Sequence, residues 1–141
     1  MKHRAHVLGL LLLMAGCGLF GHKHEEHSEA EGLLLLLSGQ EVVRVWEGRV
    51  TGSLSVRIAQ EIGPIEVRFL DADEHSFQPD AQEYSLQLNV GNTTIASVRT
   101  GASWTFYLRG LSPGQTTLEI VLLHAGHADF RTPPIPVSVS S

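Results

Sequence analysis

The stretch TTLEIVLLHAGHADFRTPPIPVSV, Thr116 to Val139, decides the fold. Leu118, Ile120 and Leu122 fall at every second position, and Ile135, Val137 and Val139 repeat the pattern, which is the period of a half-buried strand. Two strands facing one core follow, joined by a turn that carries His124, His127 and Asp129. If the first strand runs on to His124, its imidazole reaches the rim of the core face, while Ala125, Gly126 and His127 turn the corner. Pro133, Pro134 and Pro136 remove backbone donors, which places the last strand at a sheet edge.

Working outward, the same period recurs in Leu54, Val56 and Ile58, in Ile65, Val67 and Phe69, in Tyr84, Leu86, Leu88 and Val90, and in Trp104, Phe106 and Leu108, with Thr94 to Val98 as a further short run. Gly63-Pro64, Gly91-Asn92, Gly101, Gly110 and Pro113-Gly114 punctuate these runs as turns. Upstream, the run GLLLLL, Gly32 to Leu37, suits a strand buried on both faces, followed by a Ser38–Gln40 turn and the strand EVVRVWEG. The total is eight or nine short strands with no sustained helical period. An all-β, antiparallel β-sandwich over 33–141 accounts for them, with Trp46 and Trp104 as core aromatics.

The first 17 residues have a different design. A short basic segment with Lys2 and Arg4 precedes the apolar run Val7 to Met14, which is too short to span a bilayer. The run ends in LLLMAGC, which resembles the bacterial lipoprotein lipobox, with Met14 where leucine is usual. That resemblance implies a signal peptide over 1–16, diacylglycerol attachment to the Cys17 sulfur, cleavage before Cys17 and acylation of its new amino group, so that fatty acyl chains such as palmitate hold the protein on a bilayer. Gly18 after the cysteine resembles the pattern of lipoproteins sent to the outer membrane in cells with two membranes.

Cleavage removes two basic residues, leaving 10 − 2 = 8 against 15 acidic ones, a net of −7 with histidine neutral. An acidic chain excludes nucleic acid as a natural partner and favours cations. Residues 17–32 form a polar tether, too poor in apolar residues to fold alone. Within it His22, His24 and His27 stand among Glu25, Glu26 and Glu29, a set whose imidazoles suit zinc, copper or nickel; the alternative is a solvated linker. The connection DADEH, Asp71 to His75, lacks the glycine and terminal glutamate of a calcium-binding EF-hand loop and reads as a solvated loop.

The run LNVGNTTIASVRTGASWTFYLRGLSPGQTTLEI resembles the bacterial immunoglobulin-like domains of the group 2 type. The likeness rests on Ile95-Ala96-Ser97-Val98, Gly101, and the turn and strand through Gly110, Gly114, Thr116, Thr117 and Leu118. It covers roughly Gly48 to Val139 and departs at HAGHADFRTPPIPV. It implies a sandwich, and such domains serve as spacers, adhesin repeats and binding modules alike.

No nucleophile elbow, phosphate-cradling loop or zinc-protease helix occurs, which makes the chain a non-enzyme. Two readings remain. In the first, His124, His127 and Asp129, with His75 or a tether histidine, hold zinc or copper for envelope metal handling, beside a metal transporter or other envelope protein; affinity then falls as pH drops through about 6.5. In the second, HAGHADF is a structural turn and the domain is an adhesive or structural module that binds another envelope protein.

Overall fold

A computed structural model of the chain describes residues 29–141. The lipobox with Cys17 and the tether histidines His22, His24 and His27 lie outside those residues. Twelve strands follow in order: β1 (Gly32–Leu37), β2 (Gln40–Trp46), β3 (Arg49–Gly52), β4 (Leu54–Arg57), β5 (Glu61–Leu70), β6 (Ser76–Phe77), β7 (Tyr84–Val90), β8 (Ala96–Thr100), β9 (Thr105–Gly110), β10 (Gly114–His124), β11 (His127–Arg131) and β12 (Ile135–Ser140). Among the described residues no helix is long and apolar enough to cross a membrane.

The strands form two sheets. One runs β3-β2-β1-β5-β9-β8, with the short β6 added to the end of β5. β1 sits in its middle, which explains its leucines: Leu33 and Leu35 are fully buried in the core. Leu34, on the opposite face, is 8% exposed and lies between Arg44 and Arg68 in the ladders to β2 and β5.

In the second sheet β10 is the spine. β7 pairs along one side of its second half. On the other side β12 pairs with Gly114–Leu118 and β11 with Val121–His124, so β11 and β12 follow one another along β10. β4 then pairs with β12 in parallel, whereas the other ladders among the described strands are antiparallel. The last strand is therefore interior, not an edge as its prolines suggested. Pro136 is tolerated because β4 pairs only from Val137 onward, leaving the proline beside one neighbouring strand instead of two.

Phe69, Phe106, Ile65 and Leu108 from one sheet meet Leu118, Ile120, Leu122 and Ile135 from the other, all fully buried. Phe69 ties the sheets together, lying edge-on to Trp104 at 5.7 Å and to Phe130 at 5.9 Å between ring centroids. Trp104 is thus a core aromatic, but Trp46 is not. Val43 and Val45 point inward from β2, so alternation turns Trp46 outward, where its ring covers Gly32; a Cβ added to Gly32 would lie 2.6 Å from that ring.

The ladders also fix which loops share an end. Gly32 opposes Trp46 and Leu70, so the chain enters the sandwich beside the Glu47-Gly48 turn and the loop that starts at Asp71. Phe130, against Phe69, pairs with Leu122, which brings the His124–His127 turn to the same end. We call this end proximal. At the distal end Ile58 bridges Gly110 and its N–H donates to the Ser140 carbonyl at 2.8 Å. The chain thus enters at one end and its last strand finishes at the other.

Candidate functional site

Three hairpins are closed by two residues with both φ values positive: Ser38-Gly39 (52° and 76°), Glu47-Gly48 (47° and 73°) and Ala125-Gly126 (48° and 83°). This turn matches the twist of paired strands and asks for glycine at its second position. It makes HAGHADF a hairpin: only Ala125 and Gly126 turn, His124 directly opposes His127, and HADFR is the strand β11. Between the pairs Leu122–Phe130 and Leu123–Ala128 one residue, Asp129, is left over as a bulge. The bulge breaks the two-residue period, so Phe130 turns into the core three positions after His127.

His124 stands at the core rim, as its register implies. Its ring stacks on Tyr84, the residue opposite it on β7, with centroids 4.2 Å apart and planes 9° from parallel. Its Nε2 lies 4.0 Å from Glu83 Oε2. Burial first, then the charges of Asp129 and Glu83, push the Tyr84 phenol above its ordinary range. The turn therefore gathers His124, Tyr84, Glu83 and Asp129.

The three-ligand group the structure does assemble lies nearby in DADEH. One ligand atom from each of Asp71, Asp73 and His75 falls within 4.8 Å of the others, and among the described residues His124, His127 and Asp129 form no such group. Asp71 organises the loop. Its Oδ1 accepts hydrogen bonds from the backbone N–H of Asp73 and of His75, both at 2.9 Å, and its Oδ2 faces His75 Nδ1 at 3.6 Å. Glu74, between them, turns away to Arg44 at 3.2 Å, and Arg44 also binds Glu41 with two hydrogen bonds. Asp71 is one-quarter exposed and His75 almost fully so. Oxygen from two carboxylates and one imidazole nitrogen suit a borderline divalent ion better than calcium, which takes six to eight oxygens. The readable signal for this cluster is the D-x-D-x-H spacing on a tight loop, which differs from that of an EF-hand.

The chain matches no protein-family model and no curated protein. A solved structure it resembles is that of domains 4 and 5 of the S-layer protein SbsC, 20% identical over 64% of this chain and 49% of that chain, with a TM-score of 0.48. The chain spans about half the length of that structure.

Proposed function

We propose that the protein is a lipid-anchored, non-enzymatic envelope module whose sandwich, of the bacterial immunoglobulin-like group 2 kind, holds its distal loops away from the membrane. One observation carries this reading: the chain enters at Gly32 at the proximal end, while β12 finishes at the distal end. β10 alone, with 11 residues, is about 36 Å long. With Cys17 acylated, the domain stands on its tether with DADEH and HAGHADF toward the bilayer and the Ser38-Gly39 and Leu111–Pro113 turns away from it. The test places a fluorophore on Asp73→Cys or on Ser141→Cys in the lipidated protein on vesicles that contain acceptor lipids. At a surface density low enough to keep the copies apart, stronger transfer from position 73 is expected, and equal transfer from both positions there would sink the orientation. Cys17→Ser should move the protein out of the membrane fraction.

A second function is favoured by the Asp71, Asp73 and His75 group: capture of zinc or copper at the proximal end. The site lies beside the point where the His-rich tether joins, since the Glu31 N–H donates to the carbonyl of Leu70, the residue before Asp71. His22, His24 or His27 then supplies a further ligand, and the opposed His124 and His127 offer a second, weaker pair of imidazoles. Calorimetric titration separates the two places. We expect His75→Ala to weaken zinc binding at least tenfold and His124→Ala to leave the tighter step unchanged; the reverse order would return the site to the hairpin.

A further inference from the structure

The five-stranded sheet ends at β7, which among the described strands pairs with β10 alone. Its outer edge presents backbone donors and acceptors without a strand partner, the situation in which proteins guard against edge-to-edge pairing. The other edges of the two sheets carry such guards. β3 and β4 are four residues long and carry Arg49 and Arg57; β8 carries Arg99, bound to Glu61; β11 carries His127, Asp129 and Arg131. β7 differs: YSLQLNV is seven residues long, with no charge, proline or glycine. Its inward side chains Tyr84, Leu86, Leu88 and Val90 are only half-buried, although Leu118, Ile120 and Leu122 opposite them are fully buried. A cleft of about 260 Å³ opens on this side, between Tyr84 and Leu86 and the Thr100–Thr105 loop.

We propose that β7 is a self-association edge, through which two copies of this chain pair antiparallel and join their five-stranded sheets into one. The occupant is a second copy because the strand is complementary to itself. About a two-fold axis at Gln87, Leu86 meets Leu88 and Tyr84 meets Val90 on the core side, while Ser85 meets Asn89 and Gln87 meets its own copy on the solvent side. Every pair matches in kind. An acidic chain meets its own copy here without opposing like charges, and a charged peptide finds no counter-charge on the strand.

Seven residues bury little surface, so the pairing is weak in solution and gains from confinement on a membrane, which raises the local concentration. Antiparallel pairing sets the proximal end of one copy beside the distal end of the other, so within the pair one copy is inverted relative to the upright single copy. The 14 residues from 18 to 31 span at most about 50 Å when extended, more than the length of β10, so two anchors can reach one membrane.

The experiment uses the full-length chain, in which Cys17 is acylated, with Gln87→Cys and a short bis-maleimide applied to membranes. A cross-linked homodimer is expected at least tenfold above that formed by Arg49→Cys on the opposite sheet edge. In parallel, wild-type lipidated protein in detergent is sedimented beside Gln87→Lys, an exposed position where the change leaves the fold intact. The lysine variant should dissociate about tenfold more readily with unchanged thermal unfolding, and an equimolar mixture with Gln87→Glu should restore the dimer. Equal cross-linking at both edges, cross-links only to other proteins, or a lysine variant that sediments like wild type would overturn the proposal. If the anchor reading alone fails, the protein appears in the soluble fraction while the dimer at high concentration remains.

Discussion

Thr132 shows how one side chain keeps a sheet continuous. It lies between β11 and β12, where Pro133 and Pro134 provide no backbone donors, and it is 3% exposed. Its N–H donates to the Ile120 carbonyl and its Oγ1 accepts from the Ile120 N–H, each at 3.0 Å, so the threonine stands in for a missing pair of ladder bonds. Thr132→Val preserves the shape and removes the acceptor, leaving the Ile120 N–H buried and unpaired at a cost of about 1–3 kcal/mol. In thermal unfolding that is a loss of roughly 5–15 °C for a domain of this size. Thr132→Ser, which keeps the hydroxyl, should lose clearly less. A larger loss for Thr132→Ser than for Thr132→Val would mean that the methyl group, and not the hydrogen bond, matters at this position.

At the scale of elements, what was legible is what alternation encodes. The runs ending at Phe69, Val90, Leu108 and Leu122 became strands with the expected faces inward, and GLLLLL became a central strand because both its faces are covered. Alternation failed where a strand is too short to repeat. β3 and β6, with four residues and two, carry no readable period and exist because a neighbour offers them an edge. β11 was hidden by the Asp129 bulge, which shifts Phe130 inward and makes HADFR resemble a turn; the Ala125-Gly126 pair before it was the readable mark of a tight hairpin. Proline misled for a related reason. It reports a missing donor, and whether that donor is needed depends on where the adjacent strand begins, which only the β4 register reveals. Of the candidate site, the histidines of HAGHADF were found by composition, but their geometry was not. His124 meets Tyr84 and Glu83, two residues about 40 positions earlier in the chain, through the β7–β10 ladder.

For the whole molecule, two ionisable groups at opposite ends set the expected limbs of its stability against pH. At the distal end the Arg99 guanidinium holds the Glu61 carboxyl below its ordinary range, chiefly through hydrogen bonds of 2.6 Å and 3.1 Å, while Arg99 itself lies 3.8 Å from the centre of the Tyr107 ring. A carboxyl whose pKa is lowered on folding contributes stability that is full above its unfolded pKa, about 4.3, and is lost as pH falls through the folded value. At the proximal end Tyr84 has the opposite sign. Its phenol is raised by burial and by Asp129 and Glu83, so its contribution is full below about pH 10 and is lost as pH rises through the folded value. Both effects are small because these groups are open to solvent, and the Glu61 limb shrinks in high salt. Urea unfolding across the pH range tests them separately. Glu61→Gln should reduce the acid slope and leave the alkaline limb, and Tyr84→Phe should flatten the alkaline limb while keeping the ring against His124. An acid slope unchanged by Glu61→Gln would assign acid sensitivity to the other carboxylates of this acidic chain. An alkaline limb unchanged by Tyr84→Phe would mean that burial at the proximal rim does not persist in solution, and with it the packing that positions His124.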